Sequence, residues 1–255
     1  MPDEQSDQTE QPIITEMVGH TLVIRINRPD KYNAFTQAMY ASTAQALRAS
    51  GDDPAVRSIV ITGTGKAFSA GNDLNDFDLA ADGDTPVQHF LRAIADVRVP
   101  VVAAVNGLAV GVGVTMLLHC ELVYAAPEAT FQVPFVDVGL VPEAASSLLL
   151  PQLIGARRAS ELFLTGRKLG ADDALSWGLV NEVTPDAFDR ALEVAQVIAA
   201  KAPTAVRSTK SLLRSSTTDV VERMQEEELL LVAQLESTEF TEVMTARREK
   251  RSPQF

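Results

Sequence analysis

The sequence predicts an α/β protein that ends in a helical region, and three features carry that expectation. Short β-branched runs such as "TLVIRI", "SIVITG" and "VPVVAAV" recur through the first half, each bounded by turn residues. Segments with helical spacing lie between the strands, and after Glu143 they follow one another with little interruption. The last long one, "DVVERMQEEELLLVAQLES", repeats apolar residues at intervals of three and four.

In chain order, "PIITEMVG" and "TLVIRINRP" read as two strands joined by a tight turn at Gly19-His20. "TQAMYASTAQALRAS" has helical spacing, and Gly51 stands where that helix is expected to stop. "VRSIVITG" is a buried strand running into the loop "TGKAFSAGNDLNDF". "VPVVAAVNG" is the next strand, with a helix expected over Leu108 to His119. "ELVYAAP" and "ATFQVP" follow as short strands. Helices are then expected in "EAASSLLLPQLIG", "ARRASELFLTG", "ADDALSWG" and "DAFDRALEVAQVIAAKAP", with the strand "LVNEV" before the last of these.

The uncharged stretch from Val99 to Leu118 has roughly the length of a bilayer span and contains Gly107-x-x-x-Gly111. Asn106-Gly107 near its middle reads as a turn, and no basic flank accompanies it. Buried strand, turn and buried helix is the better account, so no membrane partner is expected.

Composition narrows the function classes. At 255 residues the chain can bury a substantial core, as one large domain or two small ones. A net charge of −12 argues against nucleic acid as a partner. An anionic ligand would need local cations, which "RPDK" and "ARREKR" supply if they are more than solvated surface. Cys120 is the lone cysteine and His20, His89 and His119 are scattered, so neither a disulfide within the chain nor a metal site is expected. The opening "MPDEQSDQTEQ" reads as a disordered acidic tail. It lacks the features of a secretory signal, which makes a cytoplasmic location the default.

Several motifs fail. In "TGTGK" Lys66 is followed by Ala67, which breaks the phosphate-loop spacing. "GLAVGVG" does not fit the dinucleotide fingerprint, and no serine sits in Gly-x-Ser-x-Gly. Two small-residue loops remain, "AFSAGNDL" and "NGLAVGVG", each ending a strand and leading toward a helix. Backbone N–H groups at such positions are unpaired and reinforced by the helix dipole, so two that face one another can hold an oxyanion. Glu143, alone in an uncharged run from Val138 to Gln152, reads two ways: as a first-turn residue complementing a helix dipole, or as a buried base.

"NRPDKYNAF", "GTGKAFSAGNDL", "AAVNGLAVGVG", "FQVPFVDVGLVPEAASS" and "LTGRKLGADDALSWGLVNEV" resemble, in this order, the crotonase superfamily of enoyl-CoA hydratases and isomerases. The resemblance covers most of Ile13 to Lys250. It implies a crotonase-like spiral of strand-strand-helix units over 13–200 after a tail at 1–12, with a C-terminal helical trimerisation region at 201–255. It also implies an acyl-CoA thioester as substrate, no separate cofactor, and assembly as a homotrimer or dimer of trimers.

Position within the motifs assigns the oxyanion N–H groups to Asn72 and Val112. The two glutamates typical of hydratases would fall at Thr115 and Phe135, so both carboxylates are absent. Glu143 instead matches the catalytic glutamate of the peroxisomal-type Δ3,Δ2-enoyl-CoA isomerases, which need one proton carrier. Substrate or coenzyme contacts are expected from Lys31, Ala34, Ala70, Asp73, Leu74, Thr115 and Phe135, with Lys31 near the phosphates and Phe135 walling off the pocket. Asp73 and Asp137 also admit purely structural roles. The stretch "LNDFDLAADGDTPVQHFL" is expected to line part of the pocket. The alternatives are hydration or another crotonase-type reaction, and acyl-CoA binding without turnover.

Overall fold

The structure is a computed structural model that describes residues 11–73, 76, 85–214 and 217–255. The expectations for the acidic tail therefore fall mostly outside the described residues. The chain opens with an antiparallel hairpin, β1 (Ile13–Val18) and β2 (Thr21–Ile26), turning at Gly19-His20. Helix α1 (Gln37–Asp52) follows, its N-terminus capped by the Thr36 side chain, which accepts from the Met39 N–H. Gly51 lies inside this helix and does not end it. Propensity alone costs only about 1 kcal/mol there, which tertiary packing readily overrides.

Three strand pairs then wind as a spiral. β3 (Ser58–Gly63), β5 (Val101–Val105) and β7 (Leu122–Ala125) pair in parallel in one sheet. Each is followed within a few residues by a short strand of a second sheet: β4 (Ala67–Ser69), β6 (Leu108–Val110) and β8 (Thr130–Gln132), also parallel. The first sheet runs β1-β2-β3-β5-β7-β10, ending on β10 (Glu182–Val183). The second runs β4-β6-β8-β9, where β9 is Leu169–Gly170. The turn from β5 to β6 passes so close to the preceding layer that a Cβ on Gly107 would lie 2.1 Å from the Lys66 carbonyl oxygen. Only glycine fits this corner.

The expected helix over Leu108 to His119 is corrected here. Leu108–Val110 is strand β6, and only Val112–Thr115 (α3) and the 3₁₀ turn Met116–His119 are helical. Periodicity cannot tell a short buried strand from a buried helix, and here pairing with β4 and β8 decides. No helix among the described residues is long and apolar enough to cross a membrane.

Helix α2 (Pro86–Asp96) begins with a full capping box between Thr85 and Gln88. The later helices are α4 (Ser146–Ile154), α5 (Ala156–Thr165), α6 (Ala171–Trp177), α7 (Ala187–Ala199), α8 (Pro203–Leu213), α9 (Thr217–Leu235) and α10 (Thr238–Glu249). The main core lies between the two sheets and under α1, α2 and α4. Helix α7 covers the other face of the first sheet with a stripe of Ala187, Ala191, Ala195 and Ala199. These small side chains bring the helix backbone close enough for Ser58 Oγ to donate to the Ala195 carbonyl at 2.9 Å. Helix α8 is anchored by the buried Lys210, whose ammonium reaches the Val99 carbonyl at 2.7 Å and Glu121 at 3.0 Å. Burial lowers this lysine to about 8, against the opposing pull of Glu121.

Candidate active site

Parallel pairing of β4 with β6 sets the loops after them side by side. A Cβ on Gly71 would meet the Val110 carbonyl oxygen at 3.1 Å, and one on Gly113 would meet the Ser69 carbonyl oxygen at 2.8 Å. Asn72 and Val112 sit on these adjoining loops. Around Asn72 the chain bridges to Phe35: the Phe35 N–H donates to Gly71, and the Asp73 N–H donates to Phe35. The Asn72 N–H therefore faces away from that bridge. Val112 opens α3, where helix geometry leaves its N–H unpaired. Neither N–H donates to a backbone carbonyl among the described residues.

A cleft opens beside this corner. Asn72, Glu143 and Ala144 line it. Its walls are Val87, Gln88 and Leu91 from α2 and Met224, Leu231, Val232 and Leu235 from α9. Of the variable stretch expected to line the pocket, Thr85, Val87, Gln88 and Leu91 do line the cleft; Leu74 lies outside the described residues.

Glu143 is 6% exposed, and its Oε1 is buried without a hydrogen-bond partner among the described residues. Burial first, and then the nearby Glu227 carboxylate, raises its pKa from 4.5 to about 7. The first-turn reading of Glu143 is corrected: α4 begins at Ser146, three residues later. Ala144 and Ala145 intervene in the left-handed region, at φ 62° and 54°. That conformation costs a residue with a Cβ on the order of 1 kcal/mol or more, so the surroundings must hold it. They do so from two sides. His119 Nε2–H donates to the Ala144 carbonyl at 2.8 Å, while Glu227 accepts from the Ala145 N–H at 2.6 Å and the Ser147 N–H at 2.9 Å. His119 is itself buried, and desolvation lowers it to about 4, so it acts as a neutral donor.

Two of these residues were not singled out from the sequence. Tyr40 on α1 donates its hydroxyl to Asn72 Oδ1 and packs in a cluster with Phe35 and Phe90, with ring centroids 4.8 and 5.4 Å away. Burial, and then the Glu143 charge, holds its phenol well above the usual range, so it remains a donor. In the sequence Tyr40 is one more apolar-face residue of a helix, with no signal of its own. Glu227 did leave a signal: it lies three residues after Met224 and four before Leu231, on the face those residues share.

The other expected contacts divide. Thr115 is fully buried, its hydroxyl without a partner among the described residues. Phe135 does not wall the cleft; it is buried against Phe163, 6.3 Å between centroids, because its segment turns into the core before Glu143 is reached. Asp73 is taken by an ion pair with Arg28 at 2.7 Å, which ties the loop to the turn at Pro29–Lys31 and favours its structural reading. Lys31 is exposed, Ala34 is half-buried, and the Ala70 N–H is bound to the Tyr32 carbonyl at 2.9 Å. None of these three lines the cleft.

Comparison with known proteins bears on this geometry. The model of the family described as enoyl-CoA hydratase/isomerase matches residues 16–255. The chain is 32% identical over 257 residues to 1,2-epoxyphenylacetyl-CoA isomerase of Escherichia coli strain K12, covering 95% of this chain and 97% of that one. It is 37% identical over 232 residues to enoyl-CoA delta isomerase 2 of Rattus norvegicus, covering 87% of this chain and 59% of that protein. A crystal structure of an enoyl-CoA hydratase/isomerase from Pseudoalteromonas atlantica T6c superposes with a TM-score of 0.93 at 43% identity, covering 96% of this chain and 100% of that one.

Proposed function

The chain belongs to the enoyl-CoA hydratase/isomerase family, and from that premise we propose that it is an enoyl-CoA isomerase that shifts a double bond from the 3,4 to the 2,3 position. The observation that carries this reading is the buried Glu143 carboxylate, one oxygen unpaired among the described residues, in the cleft that also holds Asn72. The thioester oxygen accepts from the Asn72 and Val112 N–H groups. Glu143 removes a proton from C2, and the electron pair spreads over the thioester oxygen and C4. Glu143 then returns the proton to C4, and the bond between C2 and C3 becomes double. One carboxylate suffices for both transfers.

Three features support isomerisation over hydration. Thr115 and Phe135 stand where the resemblance puts the paired hydratase glutamates, and neither can serve as acid or base near neutrality. Among the described residues, the other two acidic groups lining the cleft are engaged, Glu227 with backbone N–H groups and Glu228 with Gln88. Two of the relatives named above are isomerases by name. The cleft's apolar walls suit a hydrocarbon acyl chain. The exposed Leu212, Leu213, Leu229 and Leu230 are consistent with assembly through the C-terminal helices.

Incubation of the purified protein with a 3-enoyl-CoA should yield the conjugated 2-enoyl thioester; a 3-hydroxyacyl thioester as the main product would refute the reading. The rate should depend on pH through the base. Glu143 must be ionised to accept the C2 proton and titrates near 7, so kcat/KM should fall about tenfold per pH unit well below neutrality. A flat profile between pH 5 and 8, both taken as round working limits, would point to another base. Tyr40→Phe removes the bond to the Asn72 side chain without changing ring packing. It should lower kcat roughly tenfold with little change in melting temperature, because small displacements of catalytic groups are amplified in rate.

A further inference from the structure

We propose that Glu227, on α9, is a positioning residue for the base: its carboxylate clamps the left-handed turn directly behind Glu143 and sets a second negative charge beside it. This rests on the reading of Glu143 as the proton carrier. Each oxygen of Glu227 takes a different backbone N–H, Oε2 that of Ala145 and Oε1 that of Ser147. These groups bracket the start of α4, where unpaired N–H groups and the helix dipole attract a carboxylate. The clamp reaches from a helix 80 residues or more away in sequence. Glu227 is 5% exposed and also lines the cleft. One side chain thus does two things. It holds Ala144 and Ala145 in a conformation they do not favour, which aims Glu143 inward, and it opposes a second charge in the same low-dielectric space.

The electrostatic consequence follows from the groups that face Glu143. Glu227 on α9 disfavours its ionisation, and the buried Tyr40 hydroxyl on α1 stays protonated. Arg92 on α2 and Glu228 on α9 line the same cleft, with Glu228 bonded to Gln88. His119 is neutral behind Ala144. Burial raises Glu227 itself, and its bonds to the Ser147 and Ala145 N–H groups, then Arg223 one turn away on α9, oppose that and favour its charged form. A more basic Glu143 accepts the C2 proton more readily, so the clamp raises the strength of the base as it fixes its direction.

The test compares kcat/KM profiles of wild type, Glu227→Gln and Glu227→Asp on a 3-enoyl-CoA, with melting curves to establish folding. In Glu227→Gln the charge is gone and one of the two N–H acceptors is lost. The rate at pH 8 should fall about tenfold, while the ratio of the pH 6 to the pH 8 value rises roughly fivefold as Glu143 ionises at lower pH. Folded Glu227→Gln with an unchanged ratio overturns the proposal. If that variant does not fold, Glu227→Asp decides. Its charge remains but its reach is shorter, so a slower enzyme with the acid limb in place supports the clamp, and an unchanged rate overturns it. Glu143→Gln run alongside separates the two ideas: turnover in that variant removes the base itself, whereas turnover lost there with no effect at Glu227 removes only the clamp.

Discussion

Glu143→Gln is expected to lower turnover of a 3-enoyl-CoA by about 10³-fold or more, the scale of a general base that performs both proton transfers. Binding of an acyl-CoA should change little, because the amide keeps the size of the side chain and the oxyanion groups belong to the backbone. The same variant should be more stable than wild type above neutral pH. A carboxylate moved from 4.5 to about 7 by burial favours the folded state only while it is protonated. Below the unfolded value the folded state carries no penalty relative to the unfolded chain; between the two values the penalty grows; above about 7 it is complete. Its size is on the order of 3 kcal/mol, and the neutral amide removes it. Thermal melts of both proteins at pH 5 and pH 8.5, chosen as roughly bracketing these values, should diverge in favour of the variant only at the higher pH. An inactive variant without that gain would mean that Glu143 is ionised at little cost, and the pocket would have to be less apolar than its walls indicate.

Gly113→Ala is expected to produce the second largest effect, by displacing the oxyanion groups while Glu143 stays intact. The added methyl would sit 2.8 Å from the Ser69 carbonyl oxygen and 3.1 Å from Ser69 Cβ. Ser69 closes β4 three residues before Asn72, and Gly113 immediately follows Val112. Neither neighbour can yield easily, because Ser69 is fully buried and its hydroxyl donates to the Asn33 carbonyl at 3.0 Å. The loops must separate by some tenths of an ångström, and a shift approaching 1 Å costs about 100-fold in rate. We expect kcat to fall by that order and stability by about 1–3 kcal/mol, as overpacking of a rigid interior does. The two effects are separable by measuring activity well below the melting temperature. A folded Gly113→Ala enzyme with wild-type kcat would show that the two N–H groups do not act as a pair.

Much of the fold was legible because each local signal agreed with the global arrangement. The hairpin at Gly19-His20, the buried strands at Ser58–Gly63 and Val101–Val105 and the helix of α7 all appear where β-branching, turn residues and helical spacing put them. The departures have a common cause. Leu108–Val110 is a strand because β4 and β8 flank it, and α1 runs one residue past Gly51, to Asp52. Phe135 sits beside Phe163, away from the cleft, for a tertiary reason as well: the 3₁₀ turn at Val136–Val138 carries it into the core. Local pattern carries no information about which neighbour a buried residue will meet.

At the level of chemistry, the sequence by itself determined which groups exist: a glutamate after Pro142, small residues at both loop ends, and no carboxylate at positions 115 and 135. The tertiary structure decided what those groups are. It buried Glu143, left one of its oxygens without a partner among the described residues, and brought Tyr40 to Asn72 and Glu227 to the turn behind Glu143 from distant helices. Acidity and direction depend on desolvation and on charges across space, and both arise only when chain segments far apart in sequence close around the same small volume.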